Sequence, residues 1–511
     1  MTKTSDRYEK LLGKQRRVAM LGSVGAVLSW DKETYMPPAG AKHRSEQAAF
    51  LAGLKHEWAT DPEIGDLLSE LEESTGDWDP RSVEAVNVRE WRRDYDRATK
   101  LPRELVEEIS RTQVLSREAW GKARKSKDFP LFRPWLEKMV ALQRRVAECY
   151  GYEREPYDAL LDTYEPGMTA SEIAPILESL RDRLVPLLNA IQGASRRPDL
   201  SIVRREFPIP AQEAFAKEVA AAIGYDFEGG RLDVVTHPFC NRIGPGDVRI
   251  TTRYDERFFN SAFFSVVHEA GHGIHAQNLP EEHWGTPMAE SPSHGVSESQ
   301  SRSWENFVAR SRPFWEFWYP KAQERFAALA DVSLDDFVFA VNNVEPSFIR
   351  VEADEATYNL HILVRFRIER ALIGGDLEAA DAPGAWNEQF KECVGLDVPD
   401  DAMGCLQDVH WSSGLMGYFP SYTLGNLYAA QFFEKAREDL GDVDDLMHRG
   451  EFVPLREWMT DNIHSQGRRY RPAELIQVVT GRPLDASALV RCLESKFGEL
   501  YGVTVQDRPS R

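Results

Sequence analysis

Cysteine is scarce in this 511-residue chain and never paired in sequence. Its five cysteines, Cys149, Cys240, Cys393, Cys405 and Cys492, are odd in number and form no Cys-x-x-Cys. That excludes a disulfide framework and a thiolate zinc site, and it points to a reducing, cytoplasmic setting. A basic surplus is missing too. The formal net charge is -20, so little is available to neutralise phosphates and no nucleic-acid partner is expected. Long hydrophobic runs are also absent. The nearest, Val18 to Trp30 behind Lys14-Gln15-Arg16-Arg17, mimics a signal peptide. However, a charged segment precedes it, Asp31-Lys32-Glu33 follows it, and it is too short to span a bilayer. A buried helix is expected there, and no membrane partner.

The content that is present, 42% hydrophobic and 28% charged, is that of a soluble globular protein. Helical patterns run from Ser5 to about Gly193. "REWRRDYDRATKLPRELVEEIS" reads as an amphipathic helix pair around Pro102, and Thr169 to Glu172 as a capping box after Pro166-Gly167. A linker at Gly193–Pro210 suggests an N-terminal helical lobe over 1–200 and a catalytic region over 201–511. The one β signal is "RLDVVTHPFCNRIGPGDVRITTRY", two extended runs around Gly244-Pro245-Gly246-Asp247. In the second run Val248, Ile250, Thr252 and Tyr254 alternate with Asp247, Arg249, Thr251 and Arg253, so a hairpin is expected. The fold class is mainly α with one small sheet.

Chemistry concentrates in "FSVVHEAGHGIHAQ". On a helix His268 and His272 lie one turn apart on the same face and can ligate one ion. Glu269, the next residue, is placed to act on a water at that ion as general base. Zinc needs a third protein ligand. The metzincin positions hold His275 and Asn278, so that class fails, and His275 is expected behind the site or at the surface. Glu281 and Glu282 follow too soon for the chain to return, and Glu290 sits in a loop before Pro292. Glu298 opens a helix-like segment with room for an antiparallel return and is the choice. Glu305, two turns on, either orients a ligand histidine or is a solvated helix glutamate.

These residues stand in ordered blocks that span almost the whole chain. They are His237-Pro238-Phe239, Asp247-x-Arg249-x-Thr251, the His268–His272 motif, Glu298-Ser299-Gln300, Ile349-Arg350-x-x-Ala353-Asp354 and Gly404-x-x-Gln407-Asp408-x-His410-Trp411. Together they resemble the carboxypeptidase Taq-type metallocarboxypeptidases. The resemblance implies a large helical zincin, similar to the neurolysin and angiotensin-converting-enzyme group, with a deep cleft and a small sheet beside the zinc helix. It also implies Zn2+ (replaceable by Co2+), a homodimer, and release of single C-terminal residues from peptides with broad preference. One departure is visible: Ser297 stands where that family usually has His before the Glu-Ser-Gln. This bears on a contact behind the metal, not on the ligand Glu298.

The remaining roles are assigned from chemistry together with what the resemblance implies, which is what favours Arg350 and places the oxyanion donors near His410. Oxyanion donors are sought in "QDVHWSSGLMGYFPSYTLGNLY", where His410, Tyr418 and Tyr422 are the candidates and each Tyr has the alternative of an ordinary core aromatic. A substrate's terminal carboxylate suits a bidentate arginine. Arg350 is the first choice, although Glu352, Asp354 and Glu355 are potential structural partners. Arg249 is the second, on a strand that could also pair with an extended substrate backbone. His237, held extended by Pro238, is as readily structural as functional. An oligopeptidase or dipeptidyl carboxypeptidase would share this centre. A non-catalytic relic would be expected to have lost the base or a ligand, and all four are present.

Overall fold

The computed structural model describes residues 3–74 and 78–504. Among them are twenty α-helices and one three-stranded sheet, so the mainly α expectation holds. Seven helices matter for the site. An N-terminal pair, α1 (Lys3–Thr34) and α2 (Ala41–Ala59), comes first, and the short α3 (Pro156–Leu161) is third. Next are α4 (Phe259–Gln277) and α5 (His294–Arg302), which runs on as a π-helix over Ser303–Ala309. Last come α6 (Tyr358–Gly374) and α7 (Pro420–Leu440).

Local signals work as read. Thr169 and Glu172 form the capping box that starts the helix Ala170–Gly193. Helices Val83–Lys100 and Arg103–Ser126 break at Leu101-Pro102, because a residue before proline is driven to extended backbone. One reading fails. The Val18–Trp30 run lies within α1, but Met20, Val24 and Val27 are 53%, 45% and 37% exposed. Its neighbour α2 has no buried residue of its own, so the pair covers only one side of the run. A helix packed on one side keeps an apolar stripe in water.

The expected hairpin is present as β2 (Cys240–Gly244) and β3 (Asp247–Thr252), antiparallel around Pro245-Gly246. The first extended run is two strands, however, because Pro238 interrupts it. Its early part, β1 (Gly230–Val234), crosses over to lie parallel to β3, giving the order β1-β3-β2. The strand of Arg249 is therefore central, with both edges occupied. Its backbone has no free edge to offer a substrate, and the strand-addition reading for it is withdrawn.

One hydrophobic core extends from Leu105 to Tyr501, and α4 threads it. A second, smaller core gathers Leu11, Ile64, Leu67, Leu68, Leu71, Val88 and Trp91.

Candidate active site

Helix α4 is anchored by aromatics. Phe259 stacks on Phe263 at 5.1 Å, Phe263 meets Trp315 at 5.1 Å, and Phe215 lies 5.6 Å from Phe263. Each such ring contributes roughly 1.5–3 kcal/mol by leaving water, so the helix is a rigid mount for its two histidines. His268 and His272 project from its other face, ring centroids 5.0 Å apart, and remain half-buried.

Helix α5 starts where Ser293 accepts the Val296 N–H at 3.0 Å and Glu165 accepts the Gly295 N–H at 2.5 Å. That fixes the register which turns Glu298 toward α4. Glu298 Oε2 lies 3.3 Å from His272 Nε2 and 3.7 Å from His268 Nε2. Ligands held about 2.0–2.1 Å from a tetrahedral ion stand about 3.3–3.4 Å apart. The three ligand atoms all fall within 4.8 Å of one another, so this nitrogen, nitrogen and oxygen set fits a divalent ion of the zinc type. Close packing brings Glu298 in: a Cβ on Gly425 of α7 would lie 2.5 Å from Glu298 Cγ. No helix among the described residues is long and apolar enough to cross a membrane.

Each side chain of the candidate metal cluster has a support. Glu305, on the π-helix, approaches His268 Nδ1 at 2.9 Å, which settles its two readings in favour of the orienting one. Arg302 donates to Glu298 at 2.8 Å and to Glu305 at 2.9 Å. Burial alone would raise the Glu298 carboxyl, but the Arg302 guanidinium and the two imidazoles hold it well below the usual range. Ser297 Oγ lies 3.3 Å from His272 Nδ1, so the residue that departs from the family pattern backs the second imidazole. The i,i+4 spacing of Arg302 from Glu298 is a signal present in the sequence that motif reasoning alone passes over.

Glu269 is buried, and burial pushes its carboxyl up to about 7. His275 is neither a ligand nor at the surface. It is buried against His464 at 4.9 Å, and burial pulls it down to about 3.

The loop from Gly404 to Phe419 and the start of α7 bring the other candidates together. His410 Nε2 is 3.3 Å from the Tyr422 hydroxyl, and the Tyr418 and Tyr422 rings are 5.3 Å apart. Burial lowers His410 to about 4, so the imidazole is neutral at pH 7. Tyr418 rises to about 12 and Tyr422 well above its ordinary value, chiefly by burial, so both hydroxyls keep their protons.

Arg350 is buried, but none of the three acids near it in sequence is its partner. It donates to Asp408 at 2.8 Å and to the Tyr358 hydroxyl at 2.8 Å, with its guanidinium 4.8 Å above the Tyr422 ring. Arg365 donates to the same Asp408 at 2.7 Å. One carboxylate thus serves two guanidiniums. Asp354 instead ties its own turn, accepting from the N–H groups of Ala356 and Thr357. The sequence gives Asp408 and Arg365 no role, since nothing in spacing joins residues 43 apart.

Arg249 pairs with Asp247 at 2.7 Å and lies 4.1 Å over the Trp30 ring, so it also holds α1 to the sheet. His237 is exposed. Two of the sequence blocks meet here: Thr251 Oγ1 accepts the Phe239 N–H at 2.8 Å and donates to its carbonyl at 2.9 Å.

Comparison with known proteins places the chain in a family. Thermostable carboxypeptidase 1 of Thermus thermophilus is 50% identical over 507 residues, covering 97% of this chain and 99% of that protein. Carboxypeptidase 1 of Bacillus subtilis is 38% identical over 496 residues, with 97% and 99% covered. The crystal structure of a carboxypeptidase from Deinococcus radiodurans R1 superposes with a TM-score of 0.94 at 39% identity, covering 98% of this chain and 100% of its own. The profile described as carboxypeptidase Taq (M32) metallopeptidase matches residues 10–497, and the chain belongs to that family.

Proposed function

We propose that this protein is a zinc-dependent carboxypeptidase that removes single C-terminal residues from peptides with broad preference, using Glu269 as general base. The observation that carries the reading is the cluster of His268, His272 and Glu298 with Glu269 buried beside it on α4. His268, His272 and Glu298 would hold an ion that would supply Lewis acidity, lowering the pKa of a water and polarising a carbonyl. Cobalt suits the same donor set.

The protein's own groups do the rest. Glu269 takes the proton of the attacking water and returns it to the departing amine. The protonated hydroxyls of Tyr418 and Tyr422 and the neutral imidazole of His410 are donors for the developing oxyanion. Arg350 and Arg365 share Asp408, which leaves one positive charge uncompensated by it. A peptide's terminal carboxylate is the natural counter-charge. The absence of partnered cysteines among the five free thiols suits a reducing compartment.

Glu269→Gln tests the base. It should lower kcat by about 10²–10⁴-fold while bound metal stays stoichiometric. Full activity in that variant contradicts the assignment.

A further inference from the structure

We propose that Glu369 is a positioning residue, setting the loop that carries His410 and Tyr418 and so the aim of both toward the oxyanion. The proposal rests on the reading of those two residues as oxyanion donors. Glu369 sits on α6 and is fully buried. Its Oε1 accepts the Trp411 Nε1–H at 2.9 Å. Its Oε2 accepts the Gly417 N–H at 3.0 Å and the Tyr157 O–H at 2.9 Å.

The placement of those donors carries the argument. Trp411 comes directly after His410, and Gly417 directly precedes Tyr418. A single carboxylate therefore holds the immediate neighbours of two candidate donors from opposite ends of one loop. The loop is also pressed against α3, the helix that supplies Tyr157. Gly417 has φ 91°, and a Cβ there would lie 2.8 Å from Leu160 C and Leu161 N. Glu369 therefore fixes the loop from one side and α3 stops it from the other.

The chemistry of the contact requires a carboxylate. Indole and backbone N–H groups only donate, so the residue facing them must only accept, through two oxygens. Glutamine fits the volume but turns an NH2 toward one of these donors. The three donors are neutral and no cation is bonded to it, so burial pushes this carboxyl up to about 7, and ionising it here costs stability that an apolar side chain would not. Such a cost is expected where the geometry of a site depends on it.

The test measures kcat, KM, metal content and Tm for Glu369→Gln and for Trp411→Phe, each in the native chain and in a His410→Ala/Tyr418→Phe background. In the native chain Glu369→Gln should lower kcat about tenfold or more, with KM changed by less than about twofold and metal content unchanged. Trp411→Phe, which removes one of the three donors, should lower kcat in the same way but by less. In the double-variant background either change should cost less than about twofold, because the groups it positions are already gone. Equal losses in both backgrounds overturn the proposal, as does an unchanged kcat. Full activity of the double variant would show the oxyanion reading itself to be wrong, and the proposal falls with it. Trp411→Phe carries the same comparison where Glu369→Gln does not fold.

Discussion

Glu305 Oε2 stands 2.9 Å from His268 Nδ1, so one imidazole of the candidate metal cluster is backed by a carboxylate. The other, His272, is backed by the neutral hydroxyl of Ser297 at 3.3 Å. An anion behind an imidazole raises its basicity and fixes its tautomer more firmly than a hydroxyl does.

The two supports should therefore differ in weight. Glu305→Ala is expected to weaken metal binding about 10–100-fold, read by competition with a chelator. Ser297→Ala should weaken it less. The opposite order would contradict the asymmetry.

Close approach of α7 to Glu298 makes Gly425 sensitive. A methyl there must displace Glu298 Cγ, 2.5 Å away, and Cβ, 2.7 Å away. Gly425→Ala should cost about 1–3 kcal/mol of stability and loosen metal binding at once, measured by Tm and metal titration. A variant unchanged in both would show that the two helices can part without disturbing the ligand.

Glu165 gives a pH dependence with a definite sign. It caps α5 through Gly295 and is fully buried, and burial pushes it up to about 7. A carboxyl whose folded pKa exceeds its unfolded value holds its proton more tightly in the folded state. Its favourable contribution is complete below the unfolded value near 4.5 and is lost as pH rises through 7, by up to about 3 kcal/mol. Glu165→Gln cannot ionise, so its Tm relative to the native protein should improve from pH 5 to pH 8. A Tm difference independent of pH contradicts this.

The candidate metal site is largely legible in the sequence because its signals are local. His268, Glu269 and His272 share one helix, and Glu298 lies where a helix returning after α4 can start. Glu305 was suggested by its two-turn offset. What stayed hidden depends on long-range packing. Asp408 joins Arg350 and Arg365 across 58 and 43 residues, and Glu369 belongs to no motif in the sequence, although its helix is buried on nearly every side. The α1 run failed for a related reason: periodicity reports an apolar face, whereas its burial depends on what a neighbour covers. Likewise an alternating strand does not reveal whether it lies at the edge or the centre of its sheet, and β1 took the edge left open to Arg249's strand.

Release of single residues from a free carboxyl end is the claim on which the functional reading depends. The measurement is mass spectrometry of one mixed-sequence peptide digested by the zinc-loaded protein, beside the same peptide amidated at its C-terminus. A ladder that loses one residue at a time from the acid, with the amide spared, is the predicted result. Cleavage of both peptides at internal bonds would contradict it and remove the role given to Arg350.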